Sequence, residues 1–401
     1  MNANVLDTID LRELGKELQR AREKRGMTQQ EAAQVIDVAR TTLTAIEKGA
    51  RRIRAGELIA LARAYGRQVS DFVRQRPAIE PFRVQFRGRN QHGIEDNAAI
   101  KPYIDQLEEL SRNYLELEQR LQAPLVRKYP PEYQYRGSET RHAAESAALE
   151  ERNRLGLGDG PIAILRDLLE QDVGLRIFYL ELRPSTFSAI YLYTHELGGC
   201  IAVNSLHPEE RRRWSLAHVY GHFLGDRYKP TLFVEDGYQR FPESERFADY
   251  FARFFLMPGS GLVRRFNDLR RTREEVSFAD LCTLAHYYDV SVEALTRRLE
   301  ELKLLPTGIW DKLKDRGLKV REAQQQLGLG PIPARNEHLP LRYQYLAVEA
   351  FTQGLITEGQ LARLLQVDRL EARRIVEVLE QEAGAEIISV LDVDTTHRPL
   401  V

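Results

Sequence analysis

Residues 211–225, RRRWSLAHVYGHFLG, constrain this chain more than any other stretch, because His218 and His222 stand four apart in an apolar, helix-compatible run. On a helix that spacing puts both imidazoles on one face, one turn apart, where they can grip a single ion. Between them the chain reads Val219-Tyr220-Gly221. In the zinc-hydrolase pattern H-E-x-x-H, a glutamate follows the first histidine and acts as general base. Here the grip is present, and valine stands where the base would be.

The surroundings are organised about that helix. PIAILRDLLEQ reads as a helix, and GLRIFYLEL, FSAIYLYT and GCIAVN as three short strands, with His195 and Glu196 at a turn between two of them. A loop rich in Pro and Gly follows the histidine helix. ESERFADYFARFFLMP then reads as a second helix carrying Glu245 and, four residues on, Asp249. Two further helices, FADLCTLAHYYDV and SVEALTRRLEELKLL, the latter with Ser291 as N-cap, close this core.

In order and spacing, the block from about 145 to 305 resembles the ImmA/IrrE family of metallopeptidases, a minimal gluzincin-like domain. The resemblance implies His218, His222 and Glu245 as ligands of one zinc per chain. It further implies Asp249 as the group that orients a ligand histidine, and water in a fourth position. Glu243 is a rival third ligand, but only Glu245 is in step with ADYFA and with Asp249. In the family the position of Val219 is the catalytic glutamate. General-base catalysis contributes about 10²–10⁴-fold, so peptidase activity is expected to be weak or absent. Rescue by Glu196 or Glu209 has no support in the sequence. The plainer alternative makes the two histidines core residues. Trp214, Phe223, Phe251, Phe254 and Phe255 recur at helical spacing as core, and Arg211, Arg212 and Arg213 read as a solvated turn.

Residues 10–76 carry a second signature. LGKELQRAREKR is a helix broken by Gly26; Thr28 caps QQEAAQVI with Glu31 three residues on; Asp37-Val38 turns the chain into RTTLTAIEKG, which Gly49 ends. Leu58, Ile59, Leu61 and Ala62 supply the apolar side of a further helix. The pattern resembles the XRE (Cro/repressor-type) helix-turn-helix family, a five-helix bundle. By that resemblance RTTLTAIE is the recognition helix. Arg40, Thr41 and Thr44 would face base edges, and Gln29, Lys48, Arg51 and Arg52 would meet phosphates. Ala39 stands where many members have a capping serine. Such domains bind as dimers on near-palindromic sites, so a homodimer on a double-stranded DNA operator is implied.

A length of 401 residues suits two or three domains, and a net charge of −1 gives no global attraction to nucleic acid or membrane. Two distant cysteines, Cys200 and Cys282, suit a reducing cytoplasm, and no signal peptide or apolar stretch of about 18 residues is evident. Residues 77–144 read as a linker and a long packing or dimer helix bearing Ile104, Leu107, Leu110, Tyr114 and Leu117. Ser138 caps the next helix, and the Gly156–Gly160 stretch is a helix end and turn. Residues 306–401 form a helical region of helix-turn-helix outline with Arg369, Arg373 and Arg374, either an interaction element or a second DNA contact. The expected fold class is mainly α with a small β-sheet (α+β). The expected function is a sequence-specific DNA-binding transcriptional regulator whose metallopeptidase-like domain senses a ligand, metal or partner without cutting. Two alternatives stand: an active zinc metallopeptidase cleaving a repressor or antitoxin, and an antitoxin that binds a toxin partner and autoregulates its operon.

Overall fold

The computed structural model describes residues 11–67, 69, 72, 82, 99–135, 139–234, 242–272, 276–330 and 338–380. The chain divides into two compact units, 1–78 and 79–401.

The first unit is helical. α1 (Leu11–Lys24), α2 (Gln29–Val35), α3 (Arg40–Glu47) and α4 (Ala55–Ala64) enclose Leu14, Leu18, Leu43, Ile46, Leu58 and Leu61. The capping box forms as the sequence predicts: Glu31 N donates to Thr28 Oγ1 at 3.2 Å, and Thr28 N donates to the Glu31 carboxylate at 2.7 Å. Ala39 gives α3 no side-chain cap. Gly49 ends it at φ +70°, in the left-handed region where a side chain is strained. A fifth helix would fall largely on residues outside the described ones.

The second unit is built on a four-stranded sheet in the order β1-β3-β2-β4, made of β1 (Arg176–Leu180), β2 (Phe187–Thr194), β3 (Gly198–Asn204) and β4 (Thr231–Val234). β1 runs parallel to β3, and the other neighbours are antiparallel. β4 corrects the expectation of a plain loop after the histidine helix: TLFV pairs with β2 from Tyr191 to Phe187 across a bulge. β1, β2 and β3 are buried almost throughout and mostly apolar because both faces of the sheet are covered. Ile177, Tyr191, Ile201 and Val203 meet one helical layer, and Phe178, Ile190, Leu192 and Ala202 meet another.

The first layer holds the histidine helix (Glu209–Gly225), the glutamate helix (Glu243–Leu256), and the helix Thr140–Arg154 behind them. The opposite layer holds the long helix Lys101–Arg120 and the C-terminal helices Leu341–Thr352, Glu358–Leu364 and 369–380. These last helices have no separate core, since Tyr343, Leu346, Leu361 and Leu379 join the cluster under Phe178 and Ile190. The outer edge of β1 is also closed, by Tyr179 N donating to the His338 carbonyl at 3.0 Å.

Several local expectations change. Ser138 lies outside the described residues, and the helix after it begins at Thr140 with no side-chain cap from Glu139. The segment PIAILRDLLEQ becomes helical only at Leu165 and passes into a π-turn, Leu169–Val173, ended by Gly174 in the left-handed region. Two short helices, Ile309–Asp315 and Val320–Gln326, occupy the stretch after Pro306. The C-terminal apolar run in IISVLDVDTTHRPLV lies outside the described residues. Mainly α with a small mixed sheet is the class observed. Among the described residues no helix is long and apolar enough to cross a membrane.

Candidate metal centre and nucleic-acid face

His218 and His222 face the glutamate helix across a close backbone contact. Gly221 makes the contact possible: a Cβ there would stand 2.9 Å from the Ala248 Cα. Ala248 sits between Glu245 and Asp249 in register, so the approach carries both carboxylates to the histidines. His218 Nε2, His222 Nε2 and the Glu245 carboxylate oxygens lie 3.2 Å apart pairwise. Tetrahedral bonds of about 2.0–2.1 Å to one ion put ligand atoms about 3.3–3.4 Å apart, so the donor set fits a zinc-sized cation. Glu243, the rival ligand, instead accepts the Thr140 hydroxyl at 2.9 Å.

Asp249 lies 2.9 Å from His218 Nδ1. As a carboxylate it accepts a hydrogen bond from Nδ1–H, which leaves the Nε2 lone pair directed at the cluster, the carboxylate–histidine arrangement that orients a metal ligand. His218 is fully buried. Burial alone would lower its pKa, but the hydrogen bonds and charges of Asp249 and Glu245 outweigh that and raise it to about 9. Burial would raise Glu245, yet the two imidazoles hold it well below the ordinary carboxylate range. Both shifts have one cause: the cluster is short of positive charge, which a proton or a metal ion would supply.

The residue after His218 is apolar, and an apolar ring lies against His218 itself. Val219 is wholly buried among the core residues. Phe233 of β4 lies flat on the His218 ring, 4.0 Å between centroids with the planes 19° apart. Of the two carboxylates weighed as substitute bases, Glu196 is exposed at the β2–β3 turn, and Glu209 pairs with Arg212 at 2.7 Å near the start of the histidine helix.

In the first unit the structure gathers Gln29, Arg40 and Thr44 at the start of α3. The Gln29 side-chain oxygen receives Arg40 Nε at 3.5 Å and Thr44 Oγ1 at 3.3 Å. Arg40, Thr41, Lys48 and Arg52 are exposed, while Arg51 is half-buried and held by Glu57 at 2.9 Å. Beneath lies a pair the sequence analysis missed. Arg22 grips Glu47 through two bonds of 2.6 and 3.1 Å, and Gln29 donates to the same carboxylate at 2.9 Å. The signal was available: Arg22 stands four residues after Leu18, on the apolar face of α1.

Residues 18–72 match the family model of a helix-turn-helix, and residues 170–300 match that of the IrrE N-terminal-like domain, Peptidase M78. The chain is therefore a fusion of those two domain types, as the two resemblances implied. No curated protein matches it. Among solved structures, PlcR of Bacillus thuringiensis, in complex with the peptide PapR7 and DNA, is 12% identical over 94% of this chain and 98% of that one, with a TM-score of 0.17. ComR from Streptococcus suis is 11% identical over 94% and 96%, with a TM-score of 0.16. Scores this low carry no argument about this chain.

Proposed function

We propose that this protein is a sequence-specific DNA-binding transcriptional regulator whose second unit holds zinc without using it for efficient peptide cleavage. The carrying observation is the start of α3. There Gln29, Arg40 and Thr44 form one linked polar surface, set on a buried ion pair and followed by cationic Lys48 and Arg52. Arg40 and Thr41 would read base edges, an arginine being able to bridge guanine bidentately. Gln29, Lys48, Arg51 and Arg52 would hold phosphates. The active form would be a homodimer on a two-fold symmetric site.

His218, His222 and Glu245 would hold one zinc per chain, with Asp249 orienting His218. Zinc, when bound, supplies Lewis acidity to an oxygen in its open position. The side chain at Val219 has no lone pair to accept a proton, and it is completely buried. Sensing of metal or of a partner therefore fits the site better than hydrolysis does.

The test is selection of DNA from a random pool by the full-length protein, with zinc counted per chain in the same preparation. Enrichment of a near-palindromic sequence and about one zinc per chain support both halves. No enriched sequence overturns the regulator reading, and no zinc even after its addition overturns the metal reading.

A further inference from the structure

The histidine helix has a second functional side. Residues advance by about 100° along a helix, so Glu209, Arg213 and Leu216 share a face roughly opposite His218. That face walls a cavity of about 220 Å³ completed by Arg166, Tyr179 and Asp289. The metal cluster takes no part in it.

The chemistry of this cavity is unusual for a packing defect. Tyr179 is 95% buried at 5% exposure, and its ring carries the guanidinium groups of Arg166 at 4.7 Å and Arg212 at 5.1 Å. Yet its hydroxyl has no hydrogen-bond partner among the described residues, where a buried phenol ordinarily finds one. Arg213 is equally buried. It donates to the carbonyls of Ile162 and Ala163, the second at a long 3.4 Å, and its Nε has no partner. Its ion pair with Asp289 is loose at 3.8 Å. Burial raises the Glu209 and Asp289 carboxyls and lowers Arg213. Glu209 is paired directly with Arg212 at 2.7 Å, but Arg213 and Asp289 face each other in the same largely buried place at a distance longer than a direct hydrogen bond.

We propose that this cavity binds a small zwitterion of amino-acid size, its carboxylate meeting the Tyr179 hydroxyl and the Arg213 guanidinium and its ammonium facing Asp289. A lone anion would be pushed against Asp289 and Glu209, and a lone cation against Arg166 and Arg213. A zwitterion satisfies both. The volume falls below the ~300–1,000 Å³ of larger ligand sites, which restricts the occupant to few heavy atoms. The proposal is independent of zinc and of DNA.

The experiment is calorimetric titration of the full-length protein with each standard L-amino acid, using acetate and methylammonium as half-probes. At least one amino acid is expected to bind and to raise Tm by a few degrees, while neither half-probe does so. Tyr179→Phe removes only the hydroxyl and should keep the fold. It is expected to weaken binding about tenfold or more, the worth of a hydrogen bond to a charged group. Arg213→Gln should abolish binding; if that variant does not fold, Tyr179→Phe decides alone. The proposal is overturned if no amino acid binds, if acetate alone binds as well, or if Tyr179→Phe leaves affinity unchanged.

Discussion

The two polar clusters are built in opposite directions. In the first unit the support is inside: the Arg22 and Glu47 side chains are 8% and 3% exposed, and they hold Gln29, whose partners Arg40 and Thr44 reach the surface. In the second unit the support is outside. Asp249, whose side chain is 36% exposed, and Glu245 at 25% hold His218 at 1%. A reader that points outward can meet something as large as a duplex. A cluster that points inward, with Phe233 against it, suits something the size of an ion.

The strongest way to break this contrast is at its inner end. His218→Ala should remove zinc altogether, from about one per chain to none by elemental analysis. The stabilisation that zinc confers, about 4 kcal/mol at a thousandfold excess over Kd, should vanish with it. Retained zinc in that variant would mean that the histidines are core residues and the contrast is false. Next in size, Arg22→Ala leaves Glu47 buried and unpaired, which should cost about 3–5 kcal/mol in urea unfolding of the first unit. A loss below about 1 kcal/mol would show that the pair is not the support it is taken to be.

A third measurement asks whether inward construction extends beyond the metal cluster. Glu170 in the π-turn is 1% exposed and receives the Tyr114 hydroxyl at 2.9 Å. Burial pushes its pKa from the ordinary 4.5 to about 7, against the opposing Tyr114 hydrogen bond and the charges of Arg166 and Arg342. Below pH 4.5 the group is neutral in both folded and unfolded chains. Between pH 4.5 and 7 the unfolded chain ionises more readily, so stability should fall across that window by about 3 kcal/mol. Glu170→Gln should flatten this part of the pH–stability curve, and an unchanged slope would assign it to other groups. The smallest effects belong to the outward cluster. Arg40→Ala should cost about 1–3 kcal/mol on the preferred sequence and relax specificity there. Lys48→Ala should weaken all DNA alike and reduce the salt slope by about 1. The reverse assignment would exchange the roles of the two residues.

What could be read in advance was what repeats locally. The i, i+4 spacing of His218 and His222, the same spacing of Glu245 and Asp249, and the Thr28–Glu31 box are short-range patterns, and each forms. β4 was not legible because TLFV is four residues long and every one is only half-buried, which leaves no alternation to detect. The role of Gly221 was hidden because it depends on Ala248 of another helix. Tyr179 read as an ordinary strand aromatic, and the lack of a hydroxyl partner for it among the described residues depends on segments distant in sequence. The docking of the C-terminal helices on the sheet was equally invisible. Helical periodicity says that Tyr343 faces an apolar surface, not that the surface contains Phe178 and Tyr114.

The closure of β1 by His338 also sets an order of events during synthesis. The first unit is complete once residue 78 has left the ribosome. The sheet of the second unit must wait about 300 residues more, until His338 seals its edge and Tyr343 to Leu379 cover its second face. At about 5–20 residues per second that interval lasts roughly 15–60 seconds. In the later part of it a finished helix-turn-helix is tethered to a nascent sheet whose second face only the helix Lys101–Arg120 covers, and that half-made state is where a chaperone would find its client.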